Sequence, residues 1–234
     1  VKDAAVRDLR IDTDRVTVIE RGRDPERLGE PSTERRARAR RGLGLGPDAA
    51  VLVTVGRQEY QKGQWHLLEA MPQVLAAFPN AQLLVAGRTG NASARLGQTM
   101  RRTCPNGRVT FLGHRDDVPE ILAAADLFVF PSLYEGLGGA LIEAMALGLP
   151  IVASDLPAIR EVVEAGRNAV LVPPGSSADL AAAIGALLAD EARRTSMGPR
   201  SRWIFEERFT LERSATRMVQ LFERVAAEGR RRNR

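Results

Sequence analysis

Two glutamates stand eight residues apart in the run Pro131-Ser-Leu-Tyr-Glu-Gly-Leu-Gly-Gly-Ala-Leu-Ile-Glu-Ala-Met-Ala-Leu-Gly-Leu-Pro150. The first, Glu135, opens a loop made of Gly136, Leu137, Gly138 and Gly139. A glycine-rich loop at the head of a helix lets a ligand approach the backbone and aims free N–H groups at an anion. The second, Glu143, lies in a run of strong helix formers, on the same helical face as Ala140 and Leu147. A carboxylate on an apolar stripe is costly unless a partner satisfies it. A second loop, Gly56-Arg-Gln-Glu-Tyr-Gln-Lys-Gly63, carries the cations Arg57 and Lys62. Only two of the 34 basic residues are lysines, Lys2 and Lys62. A lysine kept in a glycine-punctuated loop suggests a site that needs a compact point charge. The loop is not a Walker A, because its lysine precedes the glycine and no Ser or Thr follows.

These side chains need a scaffold, and the apolar pattern supplies one. Short unalternating apolar runs predict strands at 51–55, 82–86, 108–112, 126–130, 151–153 and 169–172, with a further short strand at Val16–Ile19. Helices are expected at 32–41, 63–77, 94–103, 116–124, 138–147, 157–164, 177–189 and 191–206, with a last amphipathic helix from Phe209 to Glu228. Strands of this kind alternating with helices describe an α/β protein, a doubly wound parallel sheet covered on both faces. In the strand order 3-2-1-4-5-6, the first and fourth strands are neighbours at the switch point where ligands bind. Counted from Val51, those two strands are followed by the two loops just described.

The pattern Glu135-Gly136-Leu137-Gly138, then Glu143-Ala144-Met145-Ala146-Leu147-Gly148-Leu149-Pro150, resembles the donor-site signature of retaining glycosyltransferases of family 4. The resemblance extends to Gly56-Arg57 with Lys62-Gly63, and to Ile151-Val-Ala-Ser-Asp155. It implies a Rossmann-like domain that forms one half of a GT-B fold, with a nucleotide-sugar as substrate and no cofactor or metal. By the same resemblance, Arg57 and Lys62 bind the donor diphosphate, and Glu143 holds the ribose hydroxyls. Glu135 contacts the sugar, and Gly136 to Gly139 help to hold the phosphates. With Arg57 and Lys62, Glu135 then forms the catalytic set. His114 and Arg115, in the loop after the third strand, are neighbours of the base. The chain departs from the family's Asn-Gly after the early strand: here the run is Val18-Ile-Glu-Arg-Gly-Arg-Asp24.

The division implied is a linker at 1–15, the donor domain at 16–208, and a C-terminal helix with a basic tail at 209–234. The chain begins Val1-Lys-Asp, without a methionine, and reads as a fragment lacking an N-terminal acceptor-binding domain. In the family the C-terminal helix crosses back onto that domain. A fragment without it would leave the helix stripe Leu211, Ala215, Met218, Phe222 and Val225 uncovered, inviting fraying beyond about Met218 or self-association, with residues 230–234 disordered.

Composition excludes several other classes. With 44% hydrophobic and 27% charged residues, the chain reads as a soluble globular protein. No apolar run approaches the roughly 18 residues that span a bilayer. One cysteine, Cys104, allows neither an internal disulfide nor a cysteine-based zinc site, which fits a cytoplasmic setting. The net charge of +5 and the arginine-rich runs at 35–41 and 230–234 carry no nucleic-acid signature, and aromatic content is only 5%. They read as a solvated helix face and a loose tail, and are compatible with peripheral contact of a longer enzyme with the inner face of an anionic membrane. His66 and Cys104 read as structural. The competing functional readings are a nucleotide-binding or scaffold subunit acting with a separate chain, and another enzyme of the same fold such as a nucleotide-sugar epimerase or a phosphorylase.

Overall fold

A computed structural model describes residues 2–104 and 107–232. Its helices are α1 (Lys2–Leu9), α2 (Pro25–Leu28), α3 (Thr33–Gly42), α4 (Gln64–Ala77), α5 (Ser93–Thr103), α6 (Val118–Ala123), α7 (Gly139–Ala146), α8 (Pro157–Arg160), α9 (Ser177–Ala189), α10 (Glu191–Arg208) and α11 (Leu211–Arg232). The strands are β1 (Ala50–Val55), β2 (Ala81–Ala86), β3 (Val109–Gly113), β4 (Leu127–Phe130), β5 (Ile151–Ser154) and β6 (Ala169–Val172). They form one sheet in the order β3-β2-β1-β4-β5-β6, with every pairing parallel. This is the doubly wound α/β fold expected, and its switch point lies between β1 and β4, where Leu52 pairs with Leu127 and Val53 with Phe128.

The continuous apolar runs arise because each strand feeds two cores. On one face Leu52, Leu83, Val85, Val129 and Val152 pack with Trp65, Leu68, Met71, Ile184 and Leu187 from α4 and α9. On the other, Val51, Val53, Phe128, Phe130 and Ile151 pack with Ile121, Leu141, Ile142, Met145 and Phe205 from α6, α7 and α10. Successive residues thus face opposite layers, and a polar side chain at either position would be buried.

Three local expectations need correction. Val16–Ile19 is not a strand; an isolated parallel bridge forms further on, between Arg23 and Thr210. The helix expected over 157–164 stops at Arg160, and the chain continues as a turn. Residues 1–15, expected as an unpatterned linker, contain α1 and a single 3₁₀ turn at Thr13–Arg15.

Helix α11 runs through Arg232, with no break near Met218, while residues 233 and 234 lie outside the described residues. Leu211, Met218, Phe222 and Val225 all stand exposed along it. Its other side is tied to the segment before the domain, through Arg217 to Glu20 and Arg224 Nη2 to Thr17 Oγ1 at 2.9 Å. Among the described residues, no helix is long and apolar enough to cross a membrane.

Candidate functional site

The loops after β1 and β4 meet at the C-terminal edge of the sheet. Leu133 N donates to Gln61 O at 2.8 Å, which locks the two backbones together. Gly63 makes this closeness possible: it adopts φ +56°, and a Cβ there would lie 2.2 Å from the Pro131 carbonyl oxygen. Any side chain at 63 would push the loops apart. Behind them Gln64, buried at the head of α4, donates from Nε2 to Gly56 O at 3.2 Å, while its Oε1 finds no partner.

Within this frame Lys62 Nζ donates to Glu135 Oε1. Ser132 Oγ donates to the same oxygen at 2.9 Å, and the Lys62 ammonium stands 5.4 Å from the centroid of the Phe130 ring. The Lys62 and Glu135 side chains are 18% and 6% exposed, so the pair is largely removed from water. An ion pair over an aromatic face in a partly dry site has little solvent to screen it.

Helix α7 begins just beyond Glu135. Gly138 turns the chain into it at φ +75°, and no side chain caps the helix. Leu141 N already donates to Gly138 O at 3.0 Å, which leaves the N–H groups of Gly139 and Ala140 facing an external acceptor. One turn along, Glu143 accepts from Arg23 Nε at 2.8 Å, and both side chains are about a quarter exposed, at 24% and 22%. The partner that an acid on an apolar stripe requires is thus an arginine from the far end of the chain.

The remaining expected site residues are less closely engaged. Arg57 is 66% exposed, and its nearest carboxylate is Glu59 at 3.7 Å. It borders a cavity of about 330 Å³ lined also by Gly56, Gly87, Arg88, His114 and Arg115. Arg88 Nη2 lies 3.0 Å from His114 Nε2. The same ring nitrogen lies 3.5 Å from Asp116 Oδ1, so the imidazole stands between a cation and a carboxylate. Arg115 lines the cavity but spends its guanidinium on its own loop, as a bidentate pair with Asp117 at 2.7 and 2.5 Å. Hydrogen bonding within this pair holds the Asp117 carboxyl below its usual range and raises Arg115.

The structure therefore gathers Lys62, Glu135, Glu143 and the Gly136–Gly139 loop on one edge, with Arg57 and His114 beside them. Sequence reasoning missed Arg23, Ser132 and Arg88. Only Arg23 left a signal, as the arginine in the run that departs from Asn-Gly.

A parallel doubly wound sheet with a cation-rich crevice at its switch point defines the class of α/β domains that bind their ligands there. The comparisons narrow this. Residues 49–190 match the family model described as "Glycosyl transferases group 1", and the chain belongs to that family. It is 34% identical over 214 residues to the GDP-mannose-dependent monoacylated alpha-(1-6)-phosphatidylinositol monomannoside mannosyltransferase of Corynebacterium glutamicum. That match covers 86% of this chain and 54% of the relative, so the chain spans about half the length of the curated relatives it matches. Among solved structures, the Anabaena protein HepE in complex with UDP and glucose superposes with a TM-score of 0.87 at 27% identity. It covers 95% of this chain, which covers 60% of HepE. The C-terminal domain of LpcC, a group 1 family protein of Francisella tularensis, shares the fold with a TM-score of 0.72 at 22% identity. That match takes in 81% of this chain and the whole of the LpcC domain. Fold and neighbours place the chain as the C-terminal half of a GT-B architecture.

Proposed function

We propose that this chain is the donor-binding half of a retaining, family 4 enzyme that moves a hexose-type sugar from a nucleoside diphosphate onto an acceptor hydroxyl. The observation that carries the reading is the contact between the two switch-point loops, which sets the Lys62–Glu135 pair beside the uncapped head of α7. The mannosyltransferase relative is named for GDP-mannose, and HepE was captured with UDP, so a sugar nucleotide is the ligand class that suits this crevice.

In this reading Lys62, Arg57 and the first N–H groups of α7 hold the diphosphate without a metal. They stabilise the charge that develops on it as the glycosidic bond breaks, from positions fixed before the reaction. Glu143 accepts from the ribose diol, and Glu135 from the sugar, its second oxygen free of Lys62 and Ser132. His114 and Arg115 border the base. An acceptor-binding half, resting in part on the apolar stripe of α11, would supply whatever faces the anomeric carbon, and this chain alone would bind donor but turn over little.

Calorimetry with UDP, GDP and ADP against uridine, guanosine and adenosine tests this. One diphosphate should bind clearly tighter than its nucleoside; equal affinities across every pair would refute a diphosphate site.

A further inference from the structure

Arg23 stands where two structural features meet. Its backbone is fixed by a short parallel bridge: Arg23 N donates to Phe209 O, and Leu211 N donates to Arg23 O, each at 2.8 Å. Gly22 permits this approach, since a Cβ there would lie 2.3 Å from Thr210 O. From that anchor the side chain crosses to the head of α7. Its Nε is bound to Glu143, and its Nη1 lies 3.4 Å from Gly22 O. Its Nη2 lies so close to Gly139 that a Cβ on that residue would come within 2.1 Å of it. Gly139 is not in the left-handed region, so its backbone does not demand glycine. What it provides is room for the guanidinium.

The placement is more than a structural ion pair needs. Among the described residues Nη2 has no hydrogen-bond partner, and it lies at the helix end that attracts anions. About a quarter of each side chain in the pair with Glu143 is exposed, so a ligand can reach both the acid and the base. A guanidinium also matches a phosphate with two parallel N–H groups, a geometry that lysine lacks.

We infer that Arg23 is a third phosphate-binding residue of the donor site, one that occupies Glu143 until a nucleotide arrives. When the ribose hydroxyls take the carboxylate, the guanidinium passes to the diphosphate a short distance away. The inference rests on the ribose role proposed for Glu143. It makes the site selective for ligands that carry both groups, because only they satisfy the acid and the base together.

The test is calorimetry on the full chain with UDP and GDP, set against uridine and guanosine. Arg23→Ala should weaken the diphosphate that binds by about tenfold or more, the scale of a charge-assisted hydrogen bond. Nucleoside affinity should hold or rise. Gly139→Ala, which keeps the charge but displaces the guanidinium, should give the same selective loss, and it carries the test if Arg23→Ala does not fold. In the Arg23→Ala/Glu143→Gln double variant, the diphosphate should lose about a further tenfold beyond Glu143→Gln alone. Equal loss for nucleoside and diphosphate, or no extra loss in the double variant, would reduce Arg23 to a support for Glu143 and overturn the inference. Failure of the ribose reading shows separately, as an unchanged preference of Glu143→Gln for ribose over 2′,3′-dideoxyribose ligands.

Discussion

Two clusters of cations and carboxylates cap opposite ends of the same pair of strands, and they differ in how completely they are satisfied. At the N-terminal end of β4, Asp126 accepts from Arg36 Nη2 at 2.5 Å, from Arg40 Nη2 at 2.7 Å and from Val51 N at 2.7 Å. Arg40 spends its other donors on Ala124 O at 3.1 Å and Pro47 O at 2.7 Å, and its side chain is only 7% exposed. A cavity of about 380 Å³ opens there too, but its cations are already used: Arg194 Nη1 donates to Leu187 O and Leu188 O at 2.6 and 2.5 Å. At the C-terminal end, Arg57 is solvent-facing, Glu143 has one partner, and α7 has no cap. The residue types match at the two ends. Spare bonding capacity marks the end that can bind a ligand.

The comparison breaks most visibly through stability. Asp126→Ala would leave Arg40 buried without its carboxylate, a change worth about 3–5 kcal/mol. Urea unfolding should show that loss, while nucleotide affinity of the folded fraction stays as in the parent chain. At the other end the effect on binding should dominate. Lys62→Ala should cost the diphosphate tens of fold in affinity, about 1.5–3 kcal/mol, with nucleoside binding of the folded fraction nearly unchanged, while the Glu135 carboxylate left without its cation lowers stability as well. Arg57→Ala should act in the same direction on the same titration. A comparable loss of nucleoside binding in either variant would show that these cations do not serve the diphosphate.

Glu143→Gln sharpens the contrast further. Affinity for the ribonucleotide should fall, while the 2′,3′-dideoxy analogue, which offers the carboxylate nothing, should lose much less. A general collapse of thermal stability instead would place Glu143 with Asp126, as a structural acid.

The smallest expected effect is a pH dependence far from either cluster. His66 lies beside Glu69 and Ser177, with Nδ1 3.4 Å from each partner atom. Burial lowers its pKa from the usual 6.5, against an opposing pull from Glu69. The folded chain therefore binds this proton less readily than the unfolded chain does. The stability at stake is fully present above about pH 6.5 and is lost as pH falls toward the folded value. His66→Asn should flatten that part of the stability profile, read by denaturant midpoints between about pH 5 and 7.

The sheet was legible because burial on both faces forces unbroken apolar strands, and six such runs appear in order. Their alternation with helices placed the loops of Lys62 and Glu135 side by side without any structural knowledge. The Val16–Ile19 run misled because β-branched residues in a short apolar run suit an extended segment as well as a paired strand. The helix at 157–164 was overextended because no proline or glycine marks its end at Arg160. Arg23 could not be assigned from spacing, since its contact with Glu143 spans 120 positions and depends on a bridge formed by two non-adjacent segments. The Asp126 network escaped for the same reason, its arginines reading as a solvated helix face.

The bridge between Arg23 and Thr210 also has a mechanical side. The segment leading into the sheet and helix α11 leaving it are joined there by two parallel hydrogen bonds. Tension applied through either one reaches that junction before it reaches the strands, and the two bonds share the load. The same residue touches Glu143, so strain at the junction bears directly on a carboxylate at the head of α7. The domain thus has a two-bond junction within one side chain's length of its crevice.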